Sequence, residues 1–470
     1  MIGHDPTKTY KAAVIGAGSG GLTMAVGLTN FGHDIVLIEG DKVGGDCTNV
    51  GCIPSKALLH AARAGEDNPL GWVRAKRDDL AQREDHEMQE HKKIHLVRGW
   101  AKLTPKSGDH HVVIVDGPDG QVEVRAENVI VSGGSKPIVI PIEGLDPERL
   151  LTNENIFEME SVPDTIVLVG GGVISIEMAT AFGDLGTTVH IVELADRLMG
   201  NEDPLVSSTM QEVFESRGID VHLGTSIEKF DESTQTAHLT NGETIASVDK
   251  ILIGIGRGPA LGDLGLDEAG VESTKAGIVA DTWGRTSVDG VYAVGDITGN
   301  TATTHGANSF ARRTIRAIAL PLPKVGDPRA IPNAVYSRPQ IASVGLPVAA
   351  VDAMAAGGRK RYVKQLTNID RGYTDDLEHG FIAVDVERFT GKILRCVIVG
   401  PSAAEMIGMF TIMIDHKIGL RKLFGTVHPY PSYSQAVGFI ADEFATDTFR
   451  SLPKEWFALT KAKITNRFKK

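Results

Sequence analysis

Two stretches of the sequence, residues 11–39 and 165–193, share one layout and constrain the fold more than any other feature. Each begins with an apolar run typical of a buried strand, continues through a glycine-rich turn into a helix-forming segment, and ends in a second apolar run closed by a glutamate. In both, 23 positions separate the first glycine of the turn from that glutamate. We interpret them as a repeated β-α-β nucleotide-binding unit. The chain is therefore predicted to be an α/β protein with two dinucleotide sites, or one site and a degenerate copy.

The first unit carries Gly16, Gly18 and Gly21 in the pattern GxGxxG between the predicted strand and helix. These glycines permit a tight turn and bring backbone N–H groups close to a pyrophosphate at the helix N-terminus. Glu39, at the end of the next strand, is placed to accept a hydrogen bond from a ribose hydroxyl. A GxGxxG alone is weak evidence, but the strand, the helix and the acid are all present, so we predict a dinucleotide site here.

The second unit keeps Gly170 and Gly172 but has Ser175 at the third glycine position. Serine is small, so we expect the close packing of helix on strand to survive. Glu193 ends the second strand of this unit, and an acid there favours a ribose 2′-OH over a 2′-phosphate. The sequence therefore predicts NADH, with NADPH as the alternative because Arg197 lies nearby.

Cys47 and Cys52 lie in the segment GGDCTNVGCIPSK, residues 44–56, at a spacing that suits neither a zinc knuckle nor a disulfide within one ideal helix. Five residues of helix rise about 7.5 Å, which exceeds the usual Cα separation across a disulfide. The first cysteine is therefore expected before the helix or in a distorted first turn, which Gly51 and Pro54 would fit. A helix N-terminus also lowers the pKa of a thiol. We predict a redox-active pair, and two buried structural cysteines are the alternative interpretation.

Composition argues against several classes of function. The formal net charge of −12 argues against a general nucleic-acid binder and against attraction to anionic membranes. Three cysteines are too few for a secreted disulfide scaffold, the N-terminus lacks a signal-peptide pattern, and no apolar run reaches the roughly 18 residues of a membrane span. We therefore expect a cytoplasmic protein, with Cys396 in its core. The basic segment KAKITNRFKK, residues 461–470, is expected to be a solvated chain end rather than a membrane or partner patch.

Other segments predict the remaining organisation. Residues 72–95 are polar, charged and free of Gly and Pro, which predicts a solvent-facing helix. Residues 110–131 alternate and contain turn glycines, which predicts a hairpin, and residues 285–296 predict a short buried strand followed by a turn. From about residue 335 the pattern changes to strands followed by helices, which indicates a separate α+β domain.

The segment GGDCTNVGCIPSK resembles the active-site signature of the pyridine nucleotide–disulfide oxidoreductases, which include dihydrolipoamide dehydrogenase, glutathione reductase and mercuric reductase. The resemblance covers nearly the whole chain. The further segments that carry it are VSGGSKP at 131–137, IGIGRGP at 253–259, VYAVGDITG at 291–299 and VGPSAAEMI at 399–407. Agreement at so many ordered places is highly specific.

The resemblance implies FAD and NAD as cofactors and no metal. The cofactor-binding residues that it implies are Gly16, Gly18, Gly21, Glu39, Gly45, Lys56, Gly134, Gly170, Gly172, Glu193, Gly256 and Asp296. Asp296 is implied at the ribityl chain or phosphate, and Lys56 near the reactive flavin nitrogen, paired with Glu177 rather than in a plain surface salt bridge. Val173, at a position that is often Tyr in glutathione reductases, again favours NADH.

The resemblance also implies a two-stage reaction. Electrons pass from the nicotinamide through the flavin to the Cys47–Cys52 disulfide, with Cys52 as the charge-transfer thiolate and Cys47 exchanging with the external substrate. Dimeric relatives add a C-terminal His–Glu dyad that acts on the partner subunit's dithiol. Here Tyr430 stands at the position of that His and Gln435 at that of the Glu, while His428 matches a non-catalytic His. A tyrosine, with an ordinary pKa of about 10, exchanges protons poorly near neutral pH.

This departure keeps three hypotheses open. The first is a dihydrolipoamide dehydrogenase-like disulfide reductase. The second is a metal-ion or quinone reductase on the same core, since Tyr also occurs at this place in mercuric reductases, although their extra C-terminal cysteine pair is missing here. The third is a redox-sensing flavoprotein with little turnover. A re-registered loop would let His428 replace Tyr430 as the base.

The predicted architecture has three domains and forms a homodimer. Residues 1–155 and 280–334 are expected to form the FAD domain, residues 156–279 the nicotinamide domain, and residues 335–470 an α+β dimerisation domain. A homodimer follows because the Tyr430 segment makes functional sense only if it reaches a partner subunit. The acceptor itself, a disulfide, a dithiol or another electron acceptor, does not follow from the sequence.

Overall fold

The computed structural model describes residues 4–300, 303–320, 329–354 and 358–451. The basic segment 461–470 lies outside these ranges, so its predicted character stays a prediction. The described residues divide into two compact units, one drawn from Met1–Leu198 and Phe214–Arg329 and the other from Met199–Val213 and Ala330–Lys470. The three predicted domain boundaries likewise stay predictions. Among the described helices, none is long and apolar enough to cross a membrane.

Helices and strands are numbered separately along the described ranges. The helices are α1 Ser19–Asn30, α2 Gly45–Asn49, α3 Cys52–Ala64, α4 Pro69–Glu90, α5 Val173–Asp184, α6 Pro204–Ser216, α7 Thr304–Ala319, α8 Val348–Asp352, α9 Asp370–Thr374, α10 Ala403–Asp415 and α11 Gln435–Ser451. The strands are β1 Thr9–Ile15, β2 Ile35–Glu39, β3 Ile94–Arg98, β4 Trp100–Leu103, β5 His111–Gly117, β6 Gly120–Val131, β7 Ser135–Pro137, β8 Leu150–Leu151, β9 Thr165–Val169, β10 Thr188–Glu193, β11 Asp220–Leu223, β12 Ile227–Asp231, β13 Thr236–Leu239, β14 Thr244–Ile245, β15 Lys250–Ile253, β16 Arg257–Pro259, β17 Ser273–Thr274, β18 Gly277–Ile278, β19 Val291–Ala293, β20 Asn333–Val335, β21 Gln340–Gly345, β22 Arg359–Gln365, β23 Phe381–Glu387 and β24 Ile393–Gly400.

The first predicted β-α-β unit lies at the centre of a mixed sheet with the order β3-β2-β1-β6-β5-β4, to which β19 adds beside β6. Strand β1 runs parallel to both β2 and β6, so that Ile15 pairs with Ile38 on one side and with Val131 on the other. Its central residues are fully buried, as expected for a parallel strand covered on both faces. The carboxyl ends of β1 and β2 therefore place the turn after Ile15 beside Glu39. The predicted hairpin at 110–131 is present as β5 and β6.

The second β-α-β unit builds a parallel sheet with the order β11-β10-β9-β15-β8. Strand β9 is buried along its whole length, and β10 and β15 pair with it on either side. The α/β fold expected from the repeat is confirmed, since each copy places a glycine-rich turn at the carboxyl edge of its own sheet.

The second compact unit contains an antiparallel sheet with the order β20-β21-β24-β23-β22. Strands β23 and β24 lie next to each other in this sheet, and α10 and α11 contribute to the same apolar core. Cys396 on β24 is fully buried in that core. The strand-then-helix pattern after residue 335 thus corresponds to an α+β unit, whose first strand begins at Asn333.

The predicted helix at 72–95 is displaced at both ends. Helix α4 begins at Pro69, where the side chain of Asn68 accepts a hydrogen bond from the Gly71 N–H at 3.0 Å and caps the first turn. It ends at Glu90, and Ile94 already belongs to β3, where it pairs with Ile35 of β2. The prediction was wrong there because burial in the sheet overrides the charged pattern of the preceding residues.

Candidate functional site

Two glycines of the turn after β1, Gly16 and Gly21, have no room for a side chain. Gly16 has a φ of +95°, and a Cβ there would lie 2.5 Å from the carbonyl oxygen of Ser132. A Cβ at Gly21 would lie 1.9 Å from the carbonyl oxygen of Gly16, so helix α1 packs directly on the turn. In front of Gly18 there is space, since the nearest atom to a Cβ would be the Cα of Gly45 at 3.9 Å. Tight packing behind the turn and open space before it suit a phosphate approaching the N-terminus of α1.

The acids that end β2 and β10 are held in the same way. Glu39 Oε2 accepts from the Ala17 N–H at 2.6 Å and Oε1 from the Asp41 N–H at 2.7 Å, while burial raises the pKa of Glu39. Glu193 accepts from the Ala195 N–H at 2.6 Å and from the N–H of Gly171. Each carboxylate is thus fixed beside its glycine turn, where the repeat predicts a ribose acceptor.

The turn of the second unit accommodates Ser175 in place of a glycine. Gly170 has a φ of +102°, and a Cβ there would lie 2.8 Å from the carbonyl oxygen of Gly254. No atom comes within 4 Å of a Cβ at Gly172, which leaves the front of this turn open. Ser175 is fully buried, and its Oγ would lie 3.0 Å from a Cβ at Gly254. The glycine at position 254 therefore provides the room that the missing glycine at position 175 would have given.

The two predicted redox cysteines lie on separate helices. Cys47 is in the short helix α2, and Cys52 is the first residue of α3. Between them Gly51 has a φ of −129° and a ψ of −111°, and a Cβ there would lie 2.8 Å from the carbonyl oxygen of Asp46. The chain is therefore broken between the cysteines, and the expectation that Cys47 lies before the helix of Cys52 agrees with the structure. Both cysteines are free thiols.

The environment of the pair separates the two thiols in acidity. The hydrogen bond from Cys47, helped by the hydroxyl of Thr304 and the charge of Lys56, lowers the pKa of Cys52 to about 6. The same hydrogen bond, together with burial, raises the pKa of Cys47. Thr304 Oγ1 lies 3.4 Å from Cys52 Sγ. These opposite shifts favour the thiolate on Cys52 and the remaining proton on Cys47 when the reduced pair carries one negative charge.

Lys56 and Glu177 form an ion pair beside the dithiol. Lys56 lies one helical turn after Cys52 on α3, and its Nζ donates to Glu177 Oε2 at 2.8 Å and to Oε1 at 2.9 Å. Glu177 is only 3% exposed, because α5 packs against α3. A carboxylate this buried requires a cation, so it fixes the Lys56 ammonium within electrostatic range of the Cys52 thiolate.

Sequence reasoning missed a network around Arg257, which joins three of the motif segments. The guanidinium donates to the Ser135 carbonyl oxygen at 2.7 Å, to Ser135 Oγ at 2.8 Å and to Asn153 Oδ1 at 2.7 Å, and it pairs with the carboxylate of Asp46. Ser135 Oγ in turn donates to Asp296 Oδ2 at 2.9 Å, while burial raises the pKa of Asp296. The signal that could have pointed to this network is the presence of Arg257 inside the motif segment IGIGRGP, residues 253–259.

The remaining predicted cofactor residues border the same region. Gly134 and Gly256 flank the antiparallel pair β7 and β16, in which Ser135 is opposite Pro259. A Cβ at Gly45 would lie 2.7 Å from the Cα of Gly18, so the dithiol segment and the first glycine turn touch. Within the described ranges, no group of three or more His, Cys, Asp or Glu side chains is arranged to hold a metal ion.

The C-terminal segment exposes Tyr430 rather than His428. The Tyr430 side chain is 69% exposed, and its hydroxyl donates to Asp370 Oδ2 at 2.7 Å, which raises the pKa of Tyr430. His428 packs against α11, where a Cβ at Gly438 would lie 3.1 Å from its Cδ2. Gln435 is the first residue of α11. Tyr430 is thus the exposed side chain of this segment, and its placement at the position of the relatives' catalytic histidine stays a prediction.

Two family models together match most of the chain. Residues 10–311 match the pyridine nucleotide-disulphide oxidoreductase family, and residues 331–439 match the dimerisation domain of the same family. The chain belongs to this family. As a pyridine nucleotide–disulfide oxidoreductase it uses FAD and NAD, acts on a sulfur group, and carries the domain through which the family forms homodimers.

Similar proteins span nearly the same length. A dihydrolipoyl dehydrogenase of Chlorobaculum tepidum is 32% identical, over 94% of this chain and 98% of its own. A dihydrolipoyl dehydrogenase of Haloarcula marismortui is 30% identical, over 93% and 97%. Among solved structures, the HOCl-induced flavoprotein disulfide reductase RclA of Escherichia coli is similar with a TM-score of 0.84 and 25% identity, over 92% and 99%. A Cu(II) complex of RclA gives a TM-score of 0.83 at the same identity, over 93% and 99%.

The residues of this oxidoreductase fit both cofactors. The open space before Gly18 and the fixed carboxylate of Glu39 suit the adenosine pyrophosphate of FAD, and the matching space before Gly172 with Glu193 suits NAD. The first site lies on the same unit as the dithiol segment, which contacts Gly18 through Gly45.

Proposed function

We propose that the protein transfers electrons from NADH through FAD to the Cys47–Cys52 disulfide and on to an external disulfide, as a dihydrolipoyl dehydrogenase-like enzyme. The observation that carries the proposal is the geometry of the dithiol, in which Cys52 begins helix α3 with the Thr304 hydroxyl 3.4 Å from its Sγ, while Cys47 lies on the separate helix α2. These surroundings lower the pKa of Cys52 and raise that of Cys47. A thiolate next to the flavin and a thiol that faces the acceptor are what disulfide exchange requires. The names of the relatives with 30% to 32% identity support a dithiol substrate of the lipoamide kind.

The glycine turns and their acids are proposed to hold the cofactors. Gly16, Gly18, Gly21 and Glu39 would bind the adenosine pyrophosphate of FAD, with Gly45, Gly134 and Asp296 further along it. Gly170, Gly172, Glu193 and Gly256 would bind NAD. Glu193 supports NADH over NADPH, because its fixed carboxylate would repel a 2′-phosphate.

Bound FAD supplies the route by which the two electrons of the nicotinamide hydride arrive at the disulfide. Side chains of the protein stabilise the thiolate that this step produces and accept the proton that it requires. Thr304 and Lys56 stabilise the thiolate on Cys52 when the disulfide opens, and Cys47 takes up the proton. Glu177 holds Lys56 in place through its buried carboxylate.

Disulfide exchange then returns the pair to its oxidised form. Cys47, once it loses its proton, attacks one sulfur of the acceptor disulfide, which forms a mixed disulfide and releases the first thiolate. Cys52 attacks Cys47 Sγ, which re-forms the internal disulfide and releases the second. Two electrons and two protons reach the acceptor, which leaves as a dithiol.

Tyr430 is proposed to lie at the dithiol of the partner subunit in the homodimer. Its exposure on the dimerisation domain supports this, as does its place in the C-terminal segment. The three cysteines and the need to keep Cys47 and Cys52 in exchange support a reducing cytoplasm as the compartment.

A second candidate is a metal-ion or quinone reductase on the same core. Tyr430 and Gln435 favour it, because neither side chain readily supplies the proton exchange that a disulfide substrate needs. The existence of a Cu(II) complex of RclA points in the same direction. Metal ions and quinones accept electrons without releasing a thiolate, so a poor acid–base group lowers the rate of their reduction less than that of a disulfide.

An anaerobic titration distinguishes these candidates. The purified holoenzyme is reduced with NADH, and the long-wavelength charge-transfer absorbance of a Cys52 thiolate beside the flavin is followed. Rapid loss of that band on adding lipoamide supports the disulfide reductase. A band that persists with lipoamide and is lost with Cu(II) or a quinone supports the second candidate. No band at all would contradict both.

A further inference from the structure

Two tyrosine–aspartate hydrogen bonds tie the C-terminal segment to the short helix α9. Tyr430 donates to Asp370 Oδ2 at 2.7 Å, and Tyr433 donates to Asp375 Oδ2 at 2.7 Å. Asp370 is the first residue of α9, and Asp375 directly follows its end. The two bonds are equal in length and chemistry, but they join side chains in different surroundings.

Tyr433 is part of the packing. It is 9% exposed, and the guanidinium of Arg371 lies 5.8 Å from its ring centre while bonding Asp375 at 2.9 Å. Burial and Asp375 together raise the pKa of Tyr433 to about 12. This second pair therefore holds α9 against the segment whatever happens at Tyr430.

Tyr430, in contrast, projects from the surface with 69% of its side chain exposed. Little packing restrains an exposed ring, so its hydrogen bond to Asp370 fixes where the phenol oxygen points. A hydroxyl bonded to a carboxylate is a short, charge-assisted contact, which is stronger than a bond between neutral groups. Asp370 comes from a different element, 60 positions earlier in the chain.

The acid beside Tyr430 is therefore not the one that the sequence pattern expects. The resemblance places a glutamate at position 435, where this chain has a glutamine at the start of α11. We propose that Asp370 is the positioning residue of Tyr430 in the reaction with the acceptor, taking over from α9 the orienting role that position 435 has lost. This inference rests on the proposed function, in which Tyr430 lies at the dithiol of the partner subunit.

The bond also decides what Tyr430 can offer to the dithiol. Because its proton is engaged by Asp370, its outward face carries only oxygen lone pairs. Tyr430 thus accepts a hydrogen bond from a thiol and orients it, but does not hand a proton to a leaving sulfur. The arrangement orients the attacking thiol of the enzyme and leaves protonation of the product to solvent.

The test is a double-mutant cycle on the dimeric holoenzyme. Wild type, D370A, Y430F and the double variant are reduced with one equivalent of NADH. The rate at which an acceptor discharges the charge-transfer band is then measured by stopped flow, using whichever of lipoamide or Cu(II) is faster with wild type. We expect D370A to be slower by about tenfold, less than the roughly hundredfold that misplacing a group by 1 Å can cost. In the Y430F background, D370A should add nothing, because Asp370 acts through Tyr430.

Two further variants separate positioning from folding. D370N keeps an oxygen that can accept the Tyr430 proton, so it should recover most of the wild-type rate. D375N removes the charge from the matched pair at Tyr433; it should lower the melting temperature and leave the discharge rate unchanged. A D370A rate equal to wild type, or an equal loss in the Y430F background, would overturn the positioning role. If wild type forms no charge-transfer band, or if neither lipoamide nor Cu(II) discharges it, the proposed function is overturned instead.

Discussion

Replacing Thr304 by alanine should shift the acidity of Cys52, because it removes the hydroxyl 3.4 Å from Cys52 Sγ. The change should leave helix α7 intact, since its N-cap is the neighbouring Thr303, whose side chain accepts from the Gly306 N–H at 3.2 Å. The Thr304 hydroxyl is one of the groups that lower the pKa of Cys52 to about 6. Its loss therefore moves that pKa upward.

The magnitude follows from the strength of one hydrogen bond. A net contribution of about 1 to 1.5 kcal/mol, at about 1.4 kcal/mol for each pKa unit, corresponds to a rise of about one unit. Because the pKa of Cys52 is lowered in the folded protein, the thiolate is present above that pH and is lost as the pH falls through it. The variant should lose its thiolate about one pH unit earlier on acidification than wild type.

The assay is a pH titration of the charge-transfer absorbance in the two-electron-reduced enzyme. Wild type should lose the band with a midpoint near pH 6, and T304A with a midpoint near 7. T304S keeps the hydroxyl and should titrate like wild type. Coinciding curves for T304A and wild type would show that the Thr304 hydroxyl does not stabilise the Cys52 thiolate.

Three more outcomes are expected. G21A places a Cβ 1.9 Å from the Gly16 carbonyl oxygen, so the protein should purify with little or no flavin; a normal ratio of flavin to protein absorbance would refute the packing argument. E177Q removes the charge that holds Lys56, which should slow reduction of the disulfide by NADH, as rapid kinetics would measure. It should also lower the free energy of unfolding by about 1 to 3 kcal/mol, as chemical denaturation would measure. This loss is smaller than for a fully buried pair because Lys56 is partly exposed. E193A should lower the preference for NADH over NADPH by about tenfold in kcat/KM, equivalent to roughly 1.4 kcal/mol, and an unchanged ratio would mean that Glu193 does not select the ribose.

Where the sequence predicted well, the relevant physics was local in the chain. The close packing at Gly21, against Gly16, and the break at Gly51, against Asp46, follow from backbone crowding within a few residues, so residue type and spacing are enough to predict them. The displaced helix at 72–95 shows the limit of this reasoning. Its charged pattern continues past Glu90, but Ile94 enters the sheet because a neighbouring strand is available to pair with it.

Several contacts in the candidate site could not be predicted from the sequence, because they join residues that are far apart in the chain. Thr304 reaches Cys52 across 252 positions, and Arg257 joins Asp46 across 211. Arg257 and Asp46 each lie in a motif segment, but neither motif indicates that the two segments meet. The Lys56–Glu177 pair, 121 positions apart, was expected only from resemblance to a family.

The sequence by itself predicted two dinucleotide turns, a dithiol at the start of a helix and a C-terminal tyrosine where the family resemblance expects a histidine. Each of these is a statement about residues that are near one another in the chain. Only the tertiary structure decided which hydroxyl accompanies the Cys52 thiol and which acid accompanies Tyr430. Those properties depend on the distance and burial of charged and polar groups from remote elements. Asp370 illustrates the reason, since a side chain 60 positions away fixes a tyrosine whose own neighbours in sequence offer it no carboxylate.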